Sequence, residues 1–340
     1  MKKTLIALFL CTVILTSVLI SCGETIVLYK EVQSYKKKDY SFKRPNSELS
    51  LDVVEEPLKQ FTLPFSNETY SLQLASVDVH LGNTYDVYEY RCYETINNKR
   101  QNVGSVSFHS QTGRPVDINF LFYGKEITHA PSLLLTQEDA IAFAKGVAEE
   151  FSKTDTSAYS VRVTPNRQDP DLSLDDYVFI KKISGYDTLE RITVSMSKDG
   201  KVYRLRHQAI SQFEDFDKIA LDRDFMTNAY DAACNEIKSL LLLTCNISYP
   251  KGSFTLENTE SYLVNDGGIL LLYLYTNAVY TPSKEEQEAF KTRYPLLDPG
   301  TVSRNGVAVV PIARLSSQTM NPPPPPSSPP VFCQSENPIS

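Results

Sequence analysis

A Ser-x-x-Gly tetrapeptide occurs three times in this chain, each time between runs of strand-forming residues. The tetrapeptides occupy positions 110–113, 197–200 and 303–306. The second ends in Asp-Gly and the third in Asn-Gly, pairs that favour a hairpin because glycine adopts a positive φ without steric cost. The recurrence predicts repeated antiparallel units along the chain.

Helical patterns precede the second and third turns. Thr136 is a predicted N-cap, and Glu138 and Asp139 place negative charge in the first helical turn. One face then carries Ala140, Ala144, Val147, Ala148 and Phe151 at helical spacing. A second helix is predicted from Asp222 to about Leu240, with an inner stripe of Phe225, Ala229, Ala233, Ile237 and Leu240. A helix followed by several antiparallel strands, found twice, is typical of the α+β class.

Short motifs in these elements resemble PepSY-type domains. Residues 135–144, Leu-Thr-Gln-Glu-Asp-Ala-Ile-x-x-Ala, are similar to the opening helix of that family, and 108–116 and 194–203 are similar to its closing strand, turn and strand. The resemblance implies helices packed on curled antiparallel sheets in an extracytoplasmic bacterial protein that binds or restrains a peptidase. It carries over no catalytic residue. The third unit departs from the family through an insertion around 283–295.

The N-terminal residues have the shape of a bacterial export signal. Lys2 and Lys3 precede a mostly apolar run at 4–20. The run leads into Leu19, Ile20, Ser21 and Cys22, an order that resembles the lipobox of bacterial lipoproteins. The resemblance implies cleavage before Cys22 and a diacylglyceryl group on its thiol. Membrane lipid is then a partner, and the mature chain faces the extracytoplasmic side of the bacterial cell membrane. A retained membrane-spanning anchor and ordinary secretion are the alternatives.

Two further segments differ from the body in composition. Residues 30–44 carry six Lys or Arg against two acids, so they form either a contact with anionic head groups or a solvated linker. Residues 322–326 are all proline and predict an extended polyproline II segment in a disordered tail. The expected parts are a signal peptide at 1–21, a basic lipid-anchored tether at 22–47, a β-rich module at 48–130, a PepSY-like α+β module at 131–213, a second α+β module at 214–315 and the tail at 316–340.

The charge balance bears on the kind of partner. The chain has 34 Lys and Arg against 41 Asp and Glu, a formal net charge of −7. Nucleic acid is therefore not expected as a partner, because phosphate binding needs a basic face.

Cysteine usage favours structural or free thiols over a redox role or metal binding. The mature chain would contain Cys92, Cys234, Cys245 and Cys333. Four cysteines in an exported protein allow three disulfide pairings, and the sequence does not choose among them. Because no Cys-x-x-Cys and no Cys/His ligand spacing occurs, neither a metal site nor a cofactor is expected.

The motifs of common enzyme classes are missing from the sequence. The four histidines lack zinc-ligand spacing, and neither a Gly-x-Ser-x-Gly elbow nor a P-loop occurs. Asp175 and Asp176 are adjacent, so on a strand they point to opposite faces and do not form a glycosidase pair. These observations predict that the protein is not an enzyme.

Two residue pairs are candidate binding residues. Tyr88 and Tyr90 share a face of a predicted strand, where exposed rings could stack on a sugar or a peptide, although half-buried tyrosines have the same pattern. Arg204 and Arg206 also share a strand face, which is either a site for an acidic partner or a solvated surface.

Together these patterns favour a lipid-anchored, non-catalytic binding protein of the bacterial envelope, built from tandem modules of a helix on a curled antiparallel β-sheet. Its partner would be an envelope protein or a peptidase. One alternative is an envelope hydrolase with a site of scattered acids and tyrosines, which substitutions at Asp175, Asp176 or His207 would test. Another is a solute-binding lipoprotein of a transporter, which predicts a two-lobed α/β chain with a parallel sheet.

Overall fold

A computed structural model describes residues 25–33, 54, 56–78, 87–110, 112–134, 136–166, 173–210, 212–245, 247, 250–293 and 300–316. The predicted lipobox residues Leu19, Ile20, Ser21 and Cys22 lie outside these ranges, and so do Cys333 and the Pro-rich segment.

Strands make up most of the secondary structure in the described ranges. They are β1 (Ile26–Leu28), β2 (Gln60–Thr62), β3 (Thr69–Asp78), β4 (Val87–Ile96), β5 (Lys99–His109), β6 (Pro115–Asn119), β7 (Thr128–His129), β8 (Ser160–Asn166), β9 (Leu174–Ile183), β10 (Tyr186–Ser197), β11 (Lys201–Gln208), β12 (Ser253–Asp266), β13 (Ile269–Thr281) and β14 (Val302–Leu315). The helices are α1 (Gln137–Ser152), α2 (Arg223–Thr244) and α3 (Lys284–Arg293). Within the described residues, no helix combines the length and the apolar character needed to span a bilayer.

The strands join in one large curled sheet of mixed topology. Its order is β1-β14-β13-β12-β10-β11-β6-β5-β4-β3-β2, with β9 and then β8 continuing from β10, and β7 beside β11. The pairs are antiparallel except for β10 and β12, which meet in parallel where Thr188 lies opposite Leu263. This short contact joins a large half, β2–β11, to a small half, β1 and β12–β14.

Each half has a hydrophobic core beneath one helix. In the large half, α1 packs on β9, β10 and β11, and its apolar face meets Ile192 and Leu205. In the small half, α2 packs on β13 and β14. Full burial of one large apolar side chain contributes about 1.5–3 kcal/mol, so these apolar faces are the main attachment of each helix to the sheet.

Helix α1 follows the sequence prediction closely. The Thr136 side chain accepts a hydrogen bond from the Asp139 backbone N–H at 3.1 Å, and the Asp139 side chain accepts one from the Thr136 N–H at 3.1 Å. This capping box starts the helix by satisfying two backbone donors that have no partner inside it. The predicted apolar face is confirmed, since Ala140, Ala144, Val147, Ala148 and Phe151 are all buried.

Helix α2 starts where predicted, but its inner stripe differs at both ends. Asp222 is the N-cap and accepts a hydrogen bond from the Phe225 N–H at 2.7 Å. Met226 and Leu241 are buried, whereas Phe225 is half-buried and Leu240 is 43% exposed. A spacing of three or four residues continues the stripe equally well, and the packing of the sheet beneath the helix selects between them.

Two of the three predicted turns are confirmed and the third is wrong. Gly113 (φ 64°) lies between β5 and β6, and Gly200 (φ 84°) lies between β10 and β11. Gly306 lies inside the continuous strand β14. A Cβ at this position would lie 2.5 Å from Cγ2 of Ile237 in α2, so the glycine permits a close helix-to-strand approach. The hairpin of the small half lies instead at Gly267 and Gly268.

The structure does not confirm separate tandem modules. Strand β6 belongs to the expected module at 48–130 and β11 to the one at 131–213, yet the two strands pair, and one core contains residues of both segments. The expected tether at 22–47 contains β1, which pairs with β14. The expected insertion at 283–295 contains α3. The pairings of β6 with β11 and of β1 with β14 share a cause, because pairing between distant strands leaves no trace in local sequence patterns.

Candidate functional site

The face of the large half opposite α1 is polar. Two rows of side chains cross it, because the strand registers place them opposite one another. The first row is Gln73, Arg91, Ser105, Asn119, Arg204, Ser195, Asp176 and Thr164. The second row is Ser76, Glu89, Ser107, Asp117, Arg206 and Thr193. We call the two rows the polar face; the longer row crosses β3 to β8 through adjacent strands, about 34 Å at the usual strand spacing.

An arginine–aspartate pair lies in the middle of the polar face. Arg204 donates from Nε to Asp117 Oδ1 at 3.2 Å and from Nη2 to Asp117 Oδ2 at 2.8 Å. Arg206 Nε lies 3.8 Å from the same Oδ2. Burial lowers the pKa of the Arg204 guanidinium, but the Asp117 carboxylate outweighs it, so this pKa lies above its ordinary value. A bidentate pair of this kind holds both side chains in one orientation.

Further hydrogen bonds order the polar face on both sides of this pair. The Asp176 carboxylate accepts from Ser195 Oγ at 2.6 Å and from Asn166 Nδ2 at 2.8 Å. Across the sheet, Ser76 Oγ donates to Glu89 Oε2 at 3.1 Å. The face is therefore a set of side chains already held in place, which lowers the conformational entropy lost when a partner binds.

The candidate binding arginines share a face as predicted. Both Arg204 and Arg206 lie on the polar face, where the acid they meet is Asp117 of the same chain. Arg204 is more enclosed, with 19% of its side chain exposed against 36% for Arg206. Arg206 is thus the more accessible cation of the pair.

The prediction that Tyr88 and Tyr90 form an exposed platform is wrong. Tyr88 and Tyr90 do share a face, but it is the face towards the core: Tyr90 is 1% exposed and Tyr88 is half-buried against the same cluster. The Tyr90 hydroxyl accepts a hydrogen bond from the Leu58 N–H at 3.2 Å, and its ring meets Phe108 edge to face. Alternation along a strand fixes which residues share a face, while the tertiary packing around the strand decides which face is buried.

A second polar cluster is buried where the two halves meet. In the pairing of β10 with β9, Asp187 lies opposite Lys182 and Arg191 opposite Ile180, so three residues of β10 face Lys181 alone. This bulge places Glu190 inside, with 3% of the residue exposed. Bulges commonly redirect a side chain in this way.

Three groups surround the Glu190 carboxylate. The Tyr159 hydroxyl donates to Oε1 at 2.7 Å, His207 Nε2 lies 3.8 Å from Oε1, and Lys181 Nζ lies 3.5 Å from Oε2. Lys181 Nζ also lies 2.9 Å from Asp217, whose side chain is 43% exposed. We call these five residues the Glu190 cluster. It extends from the core to the surface.

The electrostatics of the cluster shift the pKa values of Glu190 and Tyr159. Burial raises the pKa of Glu190, but His207, Lys181 and the Tyr159 hydroxyl together bring it below its ordinary value. Burial, reinforced by the Glu190 charge, raises the pKa of Tyr159. Glu190 Oε2 and His207 Nε2 have no hydrogen-bond partner among the described residues. Both shifts move the pKa values away from neutrality, whereas an acid–base catalyst needs a pKa near the working pH.

Two of the proposed hydrolase residues, Asp176 and His207, do not come together. Asp176 lies on the polar face, while His207 lies on the core face beside Ile192. A sheet separates the two side chains, so they do not form one site. Nor do the described residues include a cluster of His, Cys, Asp and Glu suited to a metal ion.

Sequence reasoning missed Glu190, although a signal existed. Glu190 has the same strand parity as Ile192 and Val194, which are buried. A glutamate in register with a buried apolar row predicts a paired internal charge. Tyr159 and Lys181 have no such signal, because only the bulge brings them to the carboxylate.

The cysteines in the described ranges are free thiols. Cys92 is buried in the core of the large half, where burial raises the pKa of its thiol to about 12. Cys234 and Cys245 lie eleven residues apart along α2 and its C-cap, about 16 Å at the helical rise and beyond the reach of a disulfide. A pairing with Cys333 concerns a residue outside the described ranges.

Comparisons with known proteins leave the family open. A scan against models of protein families finds no match, and a search of curated proteins finds no relative. Among solved structures, the chain is similar to the Bacillus megaterium YpeB C-terminal domain, with 12% identity over 63% of this chain and 83% of that one, at a TM-score of 0.27. A likeness at this level carries no argument about family or function.

Proposed function

We propose that this protein is a non-catalytic, lipid-anchored protein of the bacterial envelope that binds a macromolecular partner, an envelope protein or a peptidase, on its polar face. Cys22 is the proposed acylated residue, and the body then faces the extracytoplasmic side of the membrane. The lipobox-like sequence supports the anchor, and the polar face supports the binding role.

The observation that carries the binding role is the order of the polar face. Its two rows are aligned by strand register, and the hydrogen bonds around Asp117 and Asp176 hold them. A wide surface with fixed donors and acceptors suits a folded domain or an extended peptide, whereas small ligands are usually held in concave pockets. Charges of both signs on the face favour a partner with complementary rows rather than a uniformly charged polymer.

The Glu190 cluster supports a role without catalysis. Its carboxylate and phenol have pKa values shifted away from neutrality, which suits a structural cluster of the large half beside the contact of β10 with β12. Such a cluster stabilises the arrangement of the strands that contribute to it.

Affinity capture with matched variants tests the proposal. Envelope extract would be passed over the full chain, over Arg206→Glu and Arg91→Glu on the polar face, and over Lys198→Glu on the exposed β10–β11 turn. We expect one partner that is retained by the wild type and Lys198→Glu and lost from both polar-face variants. Retention by all four proteins, or by none, would rule out the polar face as the binding surface.

Hydrolysis remains a second candidate because of the bulge that buries Glu190 beside His207. This reading predicts turnover of an envelope substrate by the pure protein, with loss of turnover in Glu190→Gln. Screening the wild type and this variant against peptide and glycan substrates decides between the two functions. Turnover that depends on Glu190 would replace the binding role.

The solute-binding alternative has less support from the fold. It predicted a parallel sheet in two lobes, whereas the described strands pair antiparallel apart from the contact between Thr188 and Leu263. A thermal-shift screen against sugars, peptides and metals checks it directly, and no shift is expected.

A further inference from the structure

The first described residues of the chain are hydrogen-bonded to the end of β14. Thr25 donates its backbone N–H to Ser316 Oγ at 3.2 Å, and its carbonyl accepts the Ser316 N–H at 2.8 Å. Strand β1 then pairs along β14, with Ile26 opposite Leu315 and Leu28 opposite Ala313. The chain therefore joins the folded body three residues after Cys22.

The same end of the sheet contains the β12–β13 hairpin. The Leu315 N–H donates to the carbonyl of Gly268 at 2.8 Å, which ties the end of β14 to this turn. We call β1, the Leu315 end of β14 and the Gly267–Gly268 turn the anchor end. The opposite end of β14 begins at Val302, and Ser303 near it is exposed.

Chain reach sets how far the anchor end can lie from a lipid on Cys22. An extended chain spans at most about 3.6 Å per residue, so Cys22 lies within about 11 Å of Thr25. The polar region of a bilayer leaflet is about 5–8 Å thick. If Cys22 is acylated, the anchor end therefore lies within about 11 Å of the lipid-bearing residue, close to the head groups of the bilayer.

The charge of the next segment agrees with this placement. The chain leaves β1 at Tyr29, and the basic residues of 30–44 begin there with the exposed Lys30. Six basic residues against two acids, beginning five residues after Thr25, complement anionic head groups at about 1 kcal/mol per charge.

We infer that the anchor end of the small half is a membrane-contact surface, so that the body stands end-on against the head groups of the bilayer with Ser303 far from it. This inference rests on the proposed acylation of Cys22. In place of the expected basic tether at 22–47, the chain is attached to the body through the pairing of β1 with β14. Along β14, Ser303 and Leu315 are twelve residues apart, about 40 Å.

Energy transfer from a single tryptophan to the bilayer tests this placement. The chain has no tryptophan, so Leu28→Trp at the anchor end and Ser303→Trp at the far end each supply one donor. The lipidated full chain would be placed in phosphatidylglycerol and phosphatidylethanolamine vesicles that contain a dansyl-labelled lipid head group. We expect several-fold stronger transfer from Leu28→Trp, and equal or reversed transfer would overturn the placement.

Two controls separate the possible failures. Thr25→Trp is a second probe of the anchor end if Leu28→Trp does not fold. Twelve Gly and Ser residues inserted between Gly23 and Glu24 add an average reach of about 19 Å, so the difference between the two ends should shrink while the protein still floats with the vesicles. Loss of flotation, together with an unmodified Cys22 thiol in mass spectrometry, would refute both the proposed lipid anchor and the end-on placement. Flotation with equal energy transfer from Leu28→Trp and Ser303→Trp would refute only the end-on placement.

Discussion

The Tyr159 hydroxyl donates a hydrogen bond of 2.7 Å to Oε1 of Glu190. A bulge in β10 directs the Glu190 side chain inwards, near the junction of the two halves. The residues are 31 positions apart in the chain. Their contact depends on the register of several strands, so it reports on the assembled sheet rather than on local structure.

Tyr159→Phe removes this donor and leaves a buried carboxylate oxygen without it. We expect a loss of about 1–3 kcal/mol in the free energy of unfolding, the usual cost of an unsatisfied buried polar group. Urea denaturation at pH 7 measures it. Tyr186→Phe is the matched control, because that half-buried ring packs against the core of the small half and should lose less than about 0.5 kcal/mol. Equal losses in the two variants would mean that the hydrogen bond contributes nothing specific.

Glu190 should make stability depend on pH. Its pKa is lower in the folded protein than in the unfolded chain, where it is about 4.3. The stabilisation is therefore complete above that value and is lost as the pH falls through the folded pKa. The difference in the free energy of unfolding between wild type and Glu190→Gln should shrink between pH 7 and pH 3. Glu288→Gln, at an exposed position of α3, is the control substitution measured beside it. A Glu190→Gln difference that grows towards low pH would contradict the sign of this shift.

Gly306→Ala should destabilise the small half. The new Cβ would lie 2.5 Å from Cγ2 of Ile237, so α2 or the side chain must move, at a cost of about 1–3 kcal/mol. Gly146→Ala in α1 is the control, because a Cβ there meets no atom within 4 Å and should stabilise the helix by about 0.5–1 kcal/mol. Thermal denaturation of both variants measures the contrast. A neutral Gly306→Ala would show that α2 does not press on β14.

The Arg204–Asp117 pair should show a measurable coupling energy. Both side chains are mostly enclosed and their contact is bidentate. A double-mutant cycle with Arg204→Met and Asp117→Asn should give a coupling of about 1–2 kcal/mol in unfolding experiments. The exposed Lys251–Glu285 pair is the comparison and should give no measurable coupling. Similar coupling energies for the two pairs would show that the Arg204–Asp117 contact does not hold the side chains of the polar face in place.

The candidate surfaces differed in how far the sequence could predict them. Alternation placed Arg204 and Arg206 together correctly, and the same rule paired Tyr88 with Tyr90. The rule does not say which face will be buried, and for the tyrosines it is the face that packs against Phe108 and the core of the large half. The Asp117 partner of Arg204 lies 87 residues away, a separation that no local pattern spans.

The sequence by itself determined the elements that short-range interactions decide. Helix α1, its capping box at Thr136 and the turns at Gly113 and Gly200 all follow from residues within a few positions of one another. Only the tertiary structure decided that β2–β11 lie in one sheet, that Gly306 lies under a helix and that Tyr159 and Lys181 meet Glu190. The physical reason is that caps, turns and periodicity are local preferences of the backbone, whereas strand pairing and burial depend on contacts between distant segments.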